Sequence, residues 1–220
     1  MVPVPNRIFI DLGPLRESRG FRLLFAGEFV EVFGSQLTAV AIPFQVYALT
    51  RSSLQVGLVS LAQLLPLIAG ALIGGSLGDA FDRRRILLVA SVLLALTSGG
   101  LAVNAAAAHP SLIALYLVSA LAASLAGASS TASNAAVPAL VAPRHLVPAY
   151  AATQAVGQVG SVVGPVAGGF LVDSASYGAA FGLAAAVLGG AAILGAAAPE
   201  TRPGEPAMPS AVTGPESRVR

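Results

Sequence analysis

Six long apolar segments make up most of this chain, and they limit its fold more than any other feature. They cover roughly residues 22–49, 54–78, 86–107, 112–138, 149–172 and 178–198. A helix of about 20 apolar residues crosses the hydrocarbon core of a bilayer. The segments are continuously apolar rather than alternating, and backbone groups in hydrocarbon must bond within their own segment. We therefore predict an all-α membrane protein with six transmembrane helices.

The shortage of charged residues supports the same prediction. Charged residues make up 10% of the chain and the mean hydropathy is +0.80, whereas a soluble domain carries roughly 25% charged residues. No cysteine is present, which excludes disulfides and thiolate metal sites, and we expect no cofactor, metal site or nucleic-acid partner. Residues 1–20 contain only a short apolar stretch, broken by Asp11 and Pro14, and do not fit a signal peptide.

The distribution of arginine predicts the orientation of the bundle in the membrane. All 12 basic residues are arginine, and only Arg51 falls on one side of the predicted spans. The others are Arg7, Arg16, Arg19, Arg22, Arg83, Arg84, Arg85, Arg144, Arg202, Arg218 and Arg220. Since arginine-rich loops stay in the cytoplasm, both termini are expected to be cytoplasmic. We expect a cytoplasmic N-terminal segment (1–20), a six-helix bundle (21–198) and a proline-rich, disordered cytoplasmic tail (199–220).

Two carboxylates interrupt the first apolar segment. Glu28 and Glu31 are three residues apart, which places them on one helix face, and Ser35, Thr38 and Gln45 continue that face at helical steps. A charged side chain at bilayer depth costs about 2.5 kcal/mol or more, so it usually faces a cavity or a partner. The pattern predicts a path for substrate and protons. The alternative is that Glu28, roughly one to two turns into the segment, reaches the headgroup region and has no role.

A second polar stripe lies on the fifth segment, where Gln154 and Gln158 are one helical turn apart. We include both glutamines in the predicted path. Further polar side chains fall on the second and fourth segments: Gln63, Ser129, Ser130, Ser133 and Asn134. Hydrogen bonds between helices explain such residues equally well.

Two stretches of the chain repeat each other 94 positions apart. Residues 70–79 (GALIGGSLGD) end the second segment and residues 164–173 (GPVAGGFLVD) end the fifth, and both follow the pattern G-x-x-x-G-G-x-L-x-D. Chance recurrence of common glycines is one explanation. We favour a real repeat because the leucine and aspartate also match. It would relate the first three spans to the last three in inverted orientation, an arrangement found in secondary transporters.

The fifth segment also carries a run of small residues around a proline, formed by Gly160, Gly164, Pro165, Gly168 and Gly169. Glycine at a spacing of four lets two helices approach closely, and proline inside a helix tends to kink it. The run predicts either a helix that rocks against a neighbour or a static packing seam.

The loop after the second segment is the most charged run of the chain, and its residues Gly75, Leu77, Asp79, Arg83 and Arg84 form a candidate gating loop. Its arginines are expected to anchor the loop in the cytoplasm. In addition, Asp79 can pair with an arginine or with the positive N-terminal end of a helix. Such a pair could break and re-form between two states.

These motifs resemble those of the major facilitator superfamily. The loop GGSLGDAFDRRR is similar to the family pattern G-x-L-A-D-R-x-G-R-R, with Ala80 in place of the family's basic residue. The fifth-segment run resembles the antiporter motif of the family's drug–proton exporters, and the likeness covers about residues 14–198. It implies two six-helix bundles around a central cavity, and proton-driven export of a small amphiphilic molecule or drug by alternating access. It also implies that the antiporter motif and Asp79 contact the second bundle.

The resemblance implies a partner, because the family has twelve spans and this chain shows six. We expect the lipid bilayer, a small-molecule substrate, protons, and a second six-helix half or a second copy of the chain as partners, in the cell inner membrane. A non-transporting truncated protein or assembly partner and a siderophore exporter are alternatives. An intramembrane protease would need serine and histidine within helices, but His109 and His145 fall in predicted loops. We therefore expect a transporter and not an enzyme.

Overall fold

A computed structural model describes residues 19–80, 82–141, 145–174 and 176–196, and these residues form six helices. The helices are α1 (Arg19–Thr50), α2 (Ser53–Ala80), α3 (Arg83–Ala106), α4 (Leu112–Leu140), α5 (Leu146–Ser174) and α6 (Tyr177–Ala196). The predicted fold class is confirmed, and each helix begins and ends within three residues of the apolar segment that predicted it. Residues 1–18 of the predicted N-terminal segment, and the predicted tail, lie outside the described residues.

The outer surface of the bundle is apolar. All six helices are long and apolar enough to span a membrane. Large apolar side chains project outward from several of them, and those with 71–80% of their surface exposed include Leu65, Val103, Val147, Val166 and Ile193. Soluble monomers rarely expose apolar surface on this scale. Lipid is the solvent that suits such an exterior.

The helices pack in pairs that follow the inverted repeat. α2 packs along α4, α5 packs along α1, and α3 packs against α6. The inverted repeat exchanges α1 with α4, α2 with α5 and α3 with α6. This exchange converts the α2–α4 pair into the α5–α1 pair and leaves the α3–α6 pair unchanged. The pairing therefore has the symmetry that the sequence repeat predicts.

The repeated glycines lie at equivalent contacts of these pairs. A Cβ added to Gly70 or Gly74 would meet the backbone of Ser124 or Ala128 on α4. In the second copy of the repeat, a Cβ added to Gly164 would meet Gln36 on α1. Small residues allow two helix backbones to approach this closely. The recurring glycines thus form the seams between the two three-helix repeats.

Apolar clusters close both ends of the bundle. One cluster joins the start of α1, the end of α4 and the start of α5: Phe21, Val137, Val141 and Ala149. The other, which we call the α1–α2 end cluster, lies near the connection between those helices: Ala41, Ile42, Val46, Val59, Leu101, Leu115, Ala180 and Phe181. The interior polar side chains of α1 lie between and within these two clusters.

Pro138 interrupts the hydrogen bonding of α4, and a tyrosine from α5 compensates for it. Proline has no N–H, so the carbonyl of the residue four positions earlier, Asn134, loses its helical donor. The hydroxyl of Tyr150 donates to the Asn134 carbonyl oxygen at 3.2 Å. This bond connects α4 to α5 across the short link that joins them.

Replacement of Tyr150 by phenylalanine is expected to lower the free energy of unfolding by about 1 kcal/mol, because one hydrogen bond is lost and a carbonyl is left without its donor. Reversible unfolding of the full chain in mixed micelles measures the change. Tyr47→Phe is the matched control, since the Tyr47 side chain is exposed and its hydroxyl forms no hydrogen bond to the described residues. Equal effects of the two substitutions would contradict this account of Tyr150.

Candidate functional site

The carboxylate of Glu31 connects three helices. Its side chain extends from α1, where its Oε2 atom accepts a hydrogen bond from the Ser91 hydroxyl of α3 at 2.7 Å. Its Oε1 atom accepts one from the Ser129 hydroxyl of α4 at 2.5 Å. Both serines are buried, with 4% and 2% of their surface exposed. Because α3 belongs to the first three-helix repeat and α4 to the second, this single carboxylate joins the two repeats.

Glu28 lies one helical turn before Glu31 and is less well paired. Its partly buried side chain lies beside the hydroxyl of Ser133 on α4. Its Oε2 atom is buried and accepts no hydrogen bond from the described residues. An ionised oxygen of this kind is a buried acceptor without a donor, and protonation would convert it into a donor. Glu28, Glu31 and Ser133 thus bring two carboxyl groups and a hydroxyl together on one side of α1.

Few fixed cations lie near these carboxyl groups among the described side chains. Between Ile86 and Val172 the described residues include no Asp, Glu, Lys or Arg, and Arg22, near the start of α1, and Arg85, near the start of α3, are both exposed. A carboxylate away from water is costly unless something compensates its charge. Hydroxyl donors compensate only part of it. The arrangement is therefore chemically suited to bind a proton or a cation.

Thr38 continues the interior face of α1 as predicted from its spacing. Its Oγ1 atom lies 3.3 Å from the hydroxyl oxygen of Ser98 on α3, and either can be the donor. Both residues are buried, with 7% and 2% of their surface exposed. Ser35, also predicted in the path, is partly buried. The predicted stripe on α1 is thus polar from Glu28 to Thr38 and points mainly into the six-helix bundle, and the apolar Ala41 and Ile42 separate it from Gln45.

No hydrogen bond among the described residues joins Gln154 or Gln158 to Glu28 or Glu31. The structure places both glutamines on an exposed face of α5, together with Ser161. Exposed polar side chains on the neighbouring α4 are Ser130 and Asn134. Pro165 also leaves the Ser161 carbonyl without its helical donor. This α4–α5 polar face is poorly suited to lipid, and the structure does not join it to Glu28 and Glu31.

Three glycines of the fifth-segment run face α1, and the contact expected between this run and a second bundle stays a prediction. A Cβ added at Gly160 would meet Val32, one at Gly164 would meet Gln36, and one at Gly168 would lie 3.4 Å from Leu37. These three glycines are buried in the bundle. Their seam serves packing between the two repeats.

Two other residues of this run are less enclosed. Gly169 has open space where a Cβ would lie, and Pro165 is partly buried. They are the part of the motif that remains available to a second bundle.

The candidate gating loop is described only in part. Gly75 is partly buried, and a Cβ there would lie 3.6 Å from Thr131 of α4. Leu77 has 37% of its surface exposed. The side chains of Asp79, Arg83 and Arg84 lie outside what the structure describes. The pairing predicted for Asp79 therefore stays a prediction.

Ser91 and Ser98 are the site residues that sequence reasoning missed. Each lies 60 positions after its partner on α1, so that Glu31 pairs with Ser91 and Thr38 with Ser98. The sequence signal for them is a shared spacing on two helices that run in the same direction. Glu31 and Thr38 are seven residues apart on α1, and Ser91 and Ser98 are seven residues apart on α3. Serine and threonine are so common in this chain that the interval alone did not distinguish these two.

Comparisons with known proteins identify a family. Residues 24–219 match the family model described as Major Facilitator Superfamily. The enterobactin exporter EntS of Salmonella typhimurium is 35% identical over 177 residues, which cover 80% of this chain and 43% of the exporter. The corresponding protein of Citrobacter koseri is 34% identical over 177 residues, covering 80% of this chain and 42% of that protein. The chain therefore spans less than half the length of these relatives.

Solved structures share the fold. A crystal structure of peptide transporter POT in complex with sulfate superposes with a TM-score of 0.71 at 20% sequence identity. The match covers 82% of this chain and 37% of that one. A second structure of that transporter, an E310Q mutant in complex with alafosfalin, gives the same TM-score and identity and covers 38% of its chain.

Proposed function

Since this chain is a multi-pass membrane protein that belongs to the major facilitator superfamily, we propose that it forms half of a proton-coupled exporter of a small amphiphilic molecule. The observation that carries the proposal is Glu31, a carboxylate inside the bundle that is held by two buried hydroxyls and has no fixed cation among the described residues of α4 to α6. Intramembrane carboxyl groups of this kind mark proton and substrate pathways in transporters.

Proton binding at Glu31 would change the contacts between the two repeats. The ionised carboxylate accepts from Ser91 and Ser129 at once. A protonated carboxyl group carries a donor of its own, so one of these two contacts must reverse or break. Because the serines lie on α3 and α4, the protonation state of Glu31 would bias how the repeats pack. Such a bias is what couples a proton to alternating access.

The assembly that we propose contains a second six-helix bundle. The α4–α5 polar face, which includes Gln154 and Gln158, is better covered by protein or water than by lipid. The chain also spans less than half the length of its relatives. The second bundle is either another copy of this chain or a separate half. We further propose that the complex lies in the cell inner membrane with both termini in the cytoplasm, as the arginine distribution favours.

Two classes of substrate are compatible with the site. Paired carboxyl groups favour a hydrophobic cation such as a drug, because a cation would balance their charge. A second candidate is enterobactin, which is favoured by the 35% identity to an enterobactin exporter. Competition between a cationic dye and enterobactin for export distinguishes the two.

Transport by the reconstituted full chain tests the proposal. Proteoliposomes with an imposed proton gradient are expected to move a cationic dye or enterobactin, and a protonophore is expected to stop that movement. Native mass spectrometry of the same sample is expected to show an assembly larger than one chain. A strictly monomeric chain, with neither transport nor stabilisation by either compound, would instead support a non-transporting membrane protein or an assembly partner.

A further inference from the structure

Two side-chain amides on the α4–α5 polar face have no partner among the described residues. Gln154 and Gln158 are exposed, and neither side chain forms a hydrogen bond to the part of the chain that the structure describes. Their polar neighbours are paired locally, since the Asn134 amide donates to the Ser130 carbonyl oxygen at 2.9 Å and the Ser161 hydroxyl donates to the Gln158 carbonyl oxygen at 2.8 Å. Hydrocarbon offers an amide neither a donor nor an acceptor, so lipid is a poor cover for the two glutamines.

This face has a polar end and an apolar end along α5. Gln154 and Gln158 lie in the first half of the helix, and Ser161 is near its midpoint. Four and eight residues after Ser161, the same side of the helix continues with Pro165 and Gly169, which carry no polar side chain. A Cβ added at Gly169 would meet nothing within 4 Å. The apolar end therefore leaves room for another helix to approach closely.

Two copies of the chain would present this face at the same membrane depth. The arginine distribution predicts one orientation for every copy, because Arg51 alone falls on one side of the spans. Copies in the same orientation can be related by a two-fold axis along the membrane normal. That axis keeps each residue at its own depth, so the amides of one copy lie level with the same amides of the other. In an inverted copy, Gln154 would instead lie level with the apolar end of the face.

The exposed amides are chemically suited to pair with their own kind. The amide of glutamine both donates and accepts hydrogen bonds, so each one can bond to an identical group. The polar side chains of the α4–α5 polar face are all uncharged, and two copies would bring no like charges together there. A face with charges of one sign would repel its own copy. This face is thus complementary to itself.

We propose that a second copy of this chain covers the α4–α5 polar face. The second copy has the same orientation, and a two-fold axis along the membrane normal relates the two, with Gln154 and Gln158 of each copy hydrogen-bonded across the interface. The inference rests on the proposed function for its need of a second bundle, and it identifies that bundle as another copy of the chain. It assigns the two glutamines to association between copies and not to contact with substrate.

Two differently tagged copies of the full chain, expressed together, test the association. We expect both tags to purify together in mild detergent, and native mass spectrometry to show the mass of two chains. Replacement of Gln154 and Gln158 together by leucine is expected to reduce the co-purified fraction about tenfold, because a two-fold interface loses each hydrogen bond twice. Ser60→Leu is the matched control, since Ser60 is also exposed but its hydroxyl donates to Val56 of its own helix. A monomeric original chain, or equal co-purification of the double variant and the control, would overturn the proposal.

Distances between spin labels test which face meets its copy. The chain contains no cysteine, so one label on Ser161→Cys gives a distance only when two copies associate. We expect this distance to be shorter than the one from Leu96→Cys, a position on α3 with 65% of its surface exposed, by about 10 Å or more, the diameter of a helix. Equal distances, or a longer distance from Ser161→Cys, would place the interface elsewhere and overturn the proposal.

Efflux of a cationic dye separates failure of this interface from failure of the proposed function. A dimer that shows the expected distances but no gradient-driven efflux would support the interface and contradict the proposed function. Gradient-driven efflux from proteoliposomes in which neither label reports a distance between copies would contradict the interface and leave the proposed function in place.

Discussion

Replacement of Glu31 by glutamine is expected to reduce proton-driven efflux about a hundredfold while the protein still folds. Glutamine keeps the shape of the side chain but can neither bind nor release a proton. Its carbonyl oxygen can accept from one of Ser91 and Ser129, and its amide can donate to the hydroxyl oxygen of the other. The bridge between α3 and α4 therefore persists, fixed in one pattern. Positioned groups that transfer protons contribute about 10²–10⁴-fold to rates, which sets the expected size of the loss.

Efflux from proteoliposomes with and without a pH gradient measures this effect. The gradient is expected to stop accelerating efflux in Glu31→Gln, whereas binding of the cationic dye to detergent-solubilised protein should still be detectable. Thr97→Val is the matched control, because the buried Thr97 hydroxyl donates to Leu94 of its own helix and not to the site. If gradient-driven efflux by Glu31→Gln matched that of the original chain, Glu31 would have no part in coupling.

The Glu28→Gln variant shows whether both carboxyl groups take part in proton coupling or only Glu31 does. Its Oε2 atom has no donor among the described residues, and so Glu28→Gln disturbs fewer contacts than Glu31→Gln does. A loss of coupling in both variants would indicate that the two carboxyl groups share a proton. A loss in Glu31→Gln alone would assign coupling to the carboxylate that joins the two repeats.

The fold could be predicted from the sequence because the bilayer leaves few choices. Continuous apolar segments of membrane-spanning length can only be helices, and the repeat at residues 70–79 and 164–173 indicated how these helices are related. The pairing of α2 with α4 and of α5 with α1 was not predicted. The pairing depends on which helix packs against each glycine run. The spacing of the glycines shows which face of their own helix allows close approach, but it does not identify the helix that approaches.

The candidate site was predicted on two helices, and the hydrogen bonds of the structure connect only the α1 part of it to other helices. Spacing along α1 identified Glu28, Glu31 and Thr38, since a charge in a membrane span is unusual enough to stand out. Their partners on α3 are ordinary serines whose importance comes from contacts between segments 60 positions apart. The fifth-segment glycine run has a neighbour within the chain that the sequence did not identify, because Gly160, Gly164 and Gly168 contact α1. The contact with a second bundle that its family resemblance implies stays a prediction.

Gly70 is the position where a single added methyl group is expected to cost the most stability. A Cβ at Gly70 would lie 2.6 Å from the carbonyl carbon and 2.8 Å from the Cα of Ser124, and still closer to its carbonyl oxygen. These are backbone atoms, so relief requires α2 and α4 to move apart along their whole seam. Overpacking of this kind costs about 3 kcal/mol. Gly70→Ala should therefore lower the free energy of unfolding by about that amount.

Gly57→Ala is the control for Gly70→Ala, because the two substitutions are expected to change the unfolding free energy in opposite directions. Gly57 lies on the same helix, and a Cβ there meets nothing within 4 Å. Alanine favours a helix over glycine by about 0.5–1 kcal/mol, so this substitution should raise the unfolding free energy while Gly70→Ala lowers it. Gly164→Ala, at the equivalent place in the second repeat, should also lower the unfolding free energy but by less than Gly70→Ala, because its Cβ would clash with the Cβ of Gln36, which the α1 backbone holds in place, and not with backbone atoms themselves. Unfolding of the three variants in mixed micelles gives this order directly. A Gly70→Ala chain as stable as Gly57→Ala would show that the α2–α4 seam is looser than the structure has it.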